Sequence, residues 1–229
     1  MCFSANASFG SASVLLVTGV ISLRKIQSPS QILFAAIPLL FCFQQGTEGF
    51  IWLSLEQGGH KNWEEFSTRL FLLFAQVLWP VWVPLSVFKL EADPMRKKIL
   101  LIPLITGFLL AIYMVFCLFT YPVKSDIVSY HIHYTQQFPP AFSLLSGIIY
   151  FLSTIIPCFI SGSKMVQILG VTILASYLFT QWIYPDYIIS VWCFFAAIIS
   201  IMVLYIVINL NQAAAAKNAA HRQGYMTGI

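Results

Sequence analysis

RKKILLIPLITGFLLAIYMVFCLFTY, residues 96–121, is the stretch that decides the fold. Three cations end at Lys98, and no charged residue follows between Ile99 and Tyr121. A helix needs about 20 mainly apolar residues to cross the hydrocarbon core of a bilayer. This run has that length, with its charge held at one end. The same pattern recurs on both sides of it. Apolar runs fall near 3–23, 31–55, 68–88, 99–121, 141–161, 165–184 and 187–210, with charge confined to the gaps.

Composition agrees. Hydrophobic residues make up 59% of the chain and charged residues 9%, against about 25% charged in a soluble domain. Barrel strands would be half as long and would alternate apolar with polar residues. These runs do not alternate. Backbone groups in hydrocarbon must bond within their own segment, so each run reads as a helix. The fold class is all-α: a polytopic membrane bundle of seven transmembrane helices, forming one domain over 1–210, with a tail at 211–229. The sixth and seventh runs are joined only by Pro185-Asp186, which reads as a hairpin. One long bent helix is the alternative.

Positive residues near helix ends mark the cytoplasmic side. Arg24, Lys25, Lys89, Arg96, Lys97, Lys98, Lys164, Lys217 and Arg222 fall on one side, nine in all. Lys61, Arg69 and Lys124, three in all, fall on the other. The expected orientation is N-terminus outside and C-terminus cytoplasmic, in a bacterial inner membrane. Arg24 and Lys25 follow the first run instead of preceding it, which suits a retained anchor better than a cleaved signal peptide. The net charge of +4 is accounted for by the cytoplasmic clusters, so no nucleic-acid partner is expected. Cys2, Cys42, Cys117, Cys158 and Cys193 show no CxxC spacing, which argues against a zinc knuckle or attached haem. There is no Walker loop and no GxGxxG.

Orientation places the polar residues by depth. Glu48 lies 17 residues above Gln31, or about 26 Å up a core of roughly 30 Å at 1.5 Å per residue. Gln44 sits one turn below Glu48 on the same face, beside Gln45. Gln181 ends the sixth run on that side, and Trp192 and Cys193 begin the seventh. His131 and His133 lie in the outer loop, and Cys2 and Asn6 at the outer terminus. One outer layer therefore collects Cys2, Asn6, Gln44, Gln45, Glu48, His131, His133, Gln181, Trp192 and Cys193.

Glu48 stands out most. An ionisable group within a span costs about 2.5–3.5 kcal/mol at mid-bilayer for Arg, Lys or Asp, and less near the interface. It is read either as a helix-locking group or as a proton acceptor, cation ligand or general base. His131 and His133 alternate as on a strand and so point the same way, which suits one metal or simply a surface pair. Loss of Met1 would leave Cys2 with a thiol and a free amine. That pair can chelate a soft metal, or the amine can serve the thiol as base. An inert surface residue and a Cys2–Cys193 disulfide are the other readings. Cys42 and Cys158 read as packing residues.

Small residues recur every four positions at Ser4, Ser8 and Ala12, which packs the first helix inside the bundle. Pro80 and Pro84 should kink the third helix, and Pro38 the second. Trp52, Trp63, Trp182 and Tyr184 read as interface aromatics.

The opening Met1-Cys-Phe-Ser-Ala-Asn-Ala-Ser-Phe9 resembles that of an uncharacterised family of bacterial multi-pass membrane proteins, a domain of unknown function. Phe34-Ala-Ala-Ile-Pro-Leu-Leu-Phe41 with Gln44, Gln45, Glu48 and Gly49 is similar to the same family. So are Trp79-Pro80 with Pro84, and Ser190-Val-Trp-Cys-Phe-Phe-Ala-Ala197. The resemblance implies a multi-pass membrane protein and supplies no activity. The chain does not resemble a microbial rhodopsin, since the seventh run has no lysine for a retinal Schiff base. Nor does it resemble ceramidase-type zinc hydrolases, since that run has no histidine pair.

The functional expectation is an outward-facing polar pocket that binds a small ligand or cation, as sensor or transporter. Its ligand-binding residues would be Gln44, Gln45, Glu48, Gln181, Trp192 and Cys193. The alternative is an intramembrane enzyme using Cys2, Glu48 and His131 in thiol or metal chemistry, with a metal ion held by Cys2, His131 and His133. A structural or assembly protein is the third reading. The expected partner in every case is the lipid bilayer.

Overall fold

The computed structural model describes residues 4–56, 61–128, 131–139, 143–183 and 195–227, with backbone alone at 61, 143–144 and 213–227. Helix α1 (Ala5–Arg24) begins at Ser4, whose hydroxyl accepts from the Ala7 N–H at 3.2 Å. A short 3-10 turn (Pro29–Gln31) leads into α2 (Ile32–Ala35), and α3 (Ile37–Glu56) follows after a break at Ala36. Helix α4 (Lys61–Leu72) passes through a π turn (Leu73–Leu78) into α5 (Trp79–Leu90). Helix α6 (Pro94–Thr120) is followed by an antiparallel hairpin of β1 (Val123–Val128) and β2 (His131–Gln136). Helices α7 (Ser143–Ile160), α8 (Lys164–Ile183) and α9 (Ala196–Thr227) complete the order. The Pro185-Asp186 connection lies outside the described residues.

Among the described residues four helices are long and apolar enough to cross a membrane: Ala5–Arg24, Asn62–Leu90, Pro94–Thr120 and Lys164–Ile183. Leu145–Ile160 and Ala196–Gln212 are apolar but shorter. The outward faces match. Val17 on α1, Ile102 and Phe119 on α6, and Trp182 on α8 are all more than half exposed. Exposed apolar faces on this scale suit a lipid environment and not water.

Two proline disruptions shape the interior. Pro38 cannot donate to the ladder of the second helical segment. The chain breaks at Ala36, and the Trp82 indole N–H donates to the Leu33 carbonyl at 2.9 Å. Pro80 removes a donor in the same way. In a π ladder the N–H of residue 80 would serve the carbonyl of residue 75. The Tyr150 hydroxyl donates to that Ala75 carbonyl instead, at 2.7 Å. The Trp82 bond serves a carbonyl beside the break at Ala36, and the Tyr150 bond serves the carbonyl that Pro80 left open, as hydrocarbon demands. Residue 107 faces Pro80 across the α5–α6 contact. A Cβ there would come 2.0 Å from the Pro80 carbonyl oxygen, so only glycine lets α6 approach so closely.

The hairpin is the main element that hydropathy does not show. Val123 and Ile132 are buried with Phe71, Leu72 and Leu118, and Tyr134 stacks on Phe71 at 4.9 Å between ring centroids. Thr68 and Ser125 share a hydroxyl bond of 2.9 Å between α4 and β1. Arg69 pairs with Glu65 at 2.7 Å and donates to the Leu118 carbonyl, placing a cation at the C-terminal end of α6. The strands thus close one end of the bundle.

The opposite end carries polar ties of its own. Glu91 is buried, and its carboxylate accepts from the N–H groups of Ala92, Asp93 and Gly162 at 3.0, 3.1 and 2.7 Å. This joins the turn before α6 to the turn before α8. Gln31 donates to Asn211 at 2.9 Å, and Asn211 donates to the Lys25 carbonyl at 2.6 Å.

Candidate functional site: a chamber among the helices

A chamber of about 340 Å³ lies between α3, α5, α6, α7 and α8, with Phe34 of α2 and Ile199 of α9 also on its wall. Its walls are mostly apolar and aromatic. Phe41 and Trp79 pack with their rings tilted by 30° at 4.2 Å between centroids, and Phe151 meets Tyr177 at 5.4 Å. Along α7 the lining runs from Ser146 to Cys158, about 18 Å at 1.5 Å per residue. Along the π turn and α5 it runs from Gln76 to Val87, about 16 Å. The chamber is therefore long and narrow. Among the described residues its lining contains no Asp, Glu, Lys, Arg or His.

Polar groups gather toward the hairpin end. Gln76 and Gln136 exchange two amide hydrogen bonds, at 2.9 and 3.1 Å. This pair ties the π turn to β2. Each amide keeps a second N–H and a second carbonyl lone pair for another partner. Gln44 is 2% exposed, and its side-chain oxygen accepts from the Trp79 indole N–H at 2.8 Å. Tyr150 lines the wall with its hydroxyl held on Ala75. Gly147 lines the chamber and is also exposed, so the chamber reaches the molecular surface beside α7.

The family assignment follows from the same stretch of chain. The chain belongs to the family of unknown function DUF6629, which matches residues 1–219. That match takes in every wall of the chamber. Neither a curated protein nor a solved structure matches the chain.

The outer polar layer expected from the sequence is only partly gathered here. Of its members Gln44 lines the chamber, whereas Gln45 and Glu48 lie beside it on α3. Glu48 is 0% exposed, and Gln45 donates its amide to the Glu48 carboxylate at 3.2 Å. Gln45 Oε1, Ser8 Oγ and Trp52 Nε1 are buried with no hydrogen-bond partner among the described residues. Two contacts fix α1 antiparallel to α3: a Cβ at Gly19 would meet Leu39, and one at Gly49 would meet Phe9. That register sets Ser8 level with Glu48 and Trp52. Helices α1 and α3 thus share a small buried polar cluster.

Gln181 is exposed on α8 and does not line the chamber. His131 is buried on β2, opposite Val128, and His133 is half-buried opposite Asp126. Among the described residues no three His, Cys, Asp or Glu side chains gather to hold a metal ion. Cys2, Trp192 and Cys193 lie outside the described residues. Cys158, read from sequence as a packing residue, is a buried free thiol on the chamber wall.

Several wall residues escaped sequence reasoning. Gln76 and Tyr150 were the readable ones. Gln76 is an amide within an apolar run, four residues before a proline that must leave a carbonyl unserved. Gln136 gains its role only through the hairpin, which carries no Asn-Gly or Asp-Gly turn.

Proposed function

We propose that this is a multi-pass membrane protein that binds a small molecule in the chamber, as a sensor or transporter. Seven spans over 1–210, with the N-terminus outside and the tail at 211–229 in the cytoplasm, fit the nine-to-three division of basic residues. On that orientation the hairpin caps the outer face of a bacterial inner membrane. The carrying observation is the chamber of about 340 Å³, which is in the size range of small-molecule sites. Its aromatic walls and few polar groups also suit ligand binding, in which apolar contact gives affinity and a few hydrogen bonds set orientation.

The test is extraction of small molecules from protein isolated in native membrane patches. Thr154→Leu and Gly147→Phe serve as narrowed forms. Both positions line the chamber, and Thr154 bonds only to carbonyls of its own helix in the described contacts. A compound enriched near one per chain in the wild type and lost from both variants supports the reading. Equal recovery from all three, while they remain folded, contradicts it.

A second reading rests on the Gln45–Glu48 pair. The buried Gln45 Oε1 beside a fully buried carboxylate supplies oxygen atoms of the kind a cation takes. Proton- or cation-linked activity that disappears in Glu48→Gln supports this reading. Unchanged activity makes Glu48 structural. The enzymatic alternative with Cys2, Glu48 and His131 and the assembly role have no observation in the described residues that favours them.

A further inference from the structure

We infer that the chamber's occupant is a neutral, single-chain amphiphile that enters from the lipid beside Gly147, with its head at the Gln76–Gln136 pair. This rests on the proposed binding function and specifies the class of ligand. Shape is the first argument. A lining that runs about 16–18 Å along two helices, with a volume of about 340 Å³, is narrow for its length. A compact polar metabolite would leave most of it empty. An extended chain of about a dozen carbons, with bonds near 1.5 Å laid in a zigzag, fills it end to end.

Charge is the second argument. Among the described residues no Asp, Glu, Lys, Arg or His lines the chamber to receive a phosphate, carboxylate or ammonium head. Moving an ion from water into such walls costs far more than moving a neutral polar group that finds hydrogen bonds. The Gln76 and Gln136 amides each retain a donor and an acceptor after bonding to each other. Ser146 lines the same end. Hydroxyl, ester, ketone and amide heads match this set.

Access is the third argument. Gly147 belongs to the wall and to the surface at once. Its flanks, Leu145 and Ile148, are exposed apolar side chains on a helix whose outer face meets lipid in this reading. A Cβ at Gly147 would meet none of the described residues within 4 Å, so the opening is not a packing contact among them. A chain already dissolved in the bilayer reaches the chamber there without crossing water.

Trp79 on the wall supplies a reporter, because bromine on a bound chain quenches indole fluorescence. The protein is placed in nanodiscs and titrated with three probes. They are a monoacylglycerol with a brominated twelve-carbon chain, an alkyl phosphate with the same chain, and a brominated four-carbon monoacylglycerol. The expected result is saturable quenching by the first probe, at least tenfold weaker for the other two. Trp79→Phe should remove the saturable part. Gly147→Phe and Thr154→Leu should weaken binding at least tenfold. Gly46→Leu, at an open position that does not line the chamber, should leave it unchanged. The inference is overturned if the phosphate or the short-chain probe binds as well as the long neutral one. It is also overturned if the saturable quenching survives Trp79→Phe. Binding of a charged or short compound that the two narrowed variants abolish would overturn this inference and leave the binding function standing. Absence of any ligand that the narrowed variants affect would remove both.

Discussion

Gly107→Ala should be the most damaging single-methyl change in the membrane-spanning part of the protein. The added Cβ would lie 2.0 Å from the Pro80 carbonyl oxygen, 2.9 Å from its carbon and 3.2 Å from the Ser153 Cβ. Ordinary contact begins near 3.4 Å, so α5 and α6 must separate by about 1 Å or more. A side chain could rotate away, but a backbone carbonyl cannot. Over-packing generally costs about 1–3 kcal/mol, and here the upper end applies because the nearest obstacle is the Pro80 backbone carbonyl, with the Ser153 Cβ closing the other side. A loss of about 3 kcal/mol lowers the folding equilibrium about 100-fold. Part of that loss should appear at the chamber, since Pro80 follows Trp79, the donor to Gln44. The assay is reversible unfolding in mixed micelles, followed by tryptophan fluorescence. Gly147→Ala is the control, because its Cβ meets nothing within 4 Å. It should be neutral or stabilising by up to about 1 kcal/mol from helix propensity. A Gly107→Ala protein within about 0.5 kcal/mol of wild type would refute the close approach of the two helices.

The remaining predictions probe other joints. Tyr150→Phe should cost about 1–3 kcal/mol, because the Ala75 carbonyl then loses its donor. In a Pro80→Ala background, where position 80 regains an N–H, the same change should cost less, and additive losses in that double-mutant cycle would reject the patching argument. Glu48→Ala should destabilise by about 1–3 kcal/mol by orphaning the Gln45 amide, while Glu48→Gln keeps an acceptor and should lose under about 1 kcal/mol; thermal unfolding of both variants checks this. A reporter fused after Gly224 should be active only in the cytoplasm, and one within 123–136 only outside, with the reverse pattern overturning the orientation.

What the sequence discloses and what it hides follow physical lines. The apolar runs locate helices because hydrocarbon selects composition over about 20 residues. The run at 99–121 and helix Pro94–Thr120 coincide, apart from a first turn that carries its cations outside the core. The run at 68–88 begins seven residues after Lys61, where α4 starts. Hydropathy misses that amphipathic turn, in which Glu65 and Arg69 pair. The prolines do mark the disruptions, at Ala36 and at Leu73–Leu78. They do not name the donors that repair them, because Trp82 and Tyr150 arrive from elsewhere in the chain. The polar residues of the span at 31–55 are identifiable by type. Their separation into a chamber residue, Gln44, and a buried pair, Gln45 and Glu48, depends on rotation about one helix. The chamber itself is a gap among helices that lie far apart in the chain, and no local pattern encodes it.

The most direct measurement is the density within the chamber in a map of the protein reconstituted in its native lipids. An elongated feature running from the Gln76–Gln136 pair toward Cys158, with its side opening at Gly147, is the expected result. Closure of the space by its own walls, with Trp79 and Ile155 filling the gap and no feature between them, would contradict the binding function.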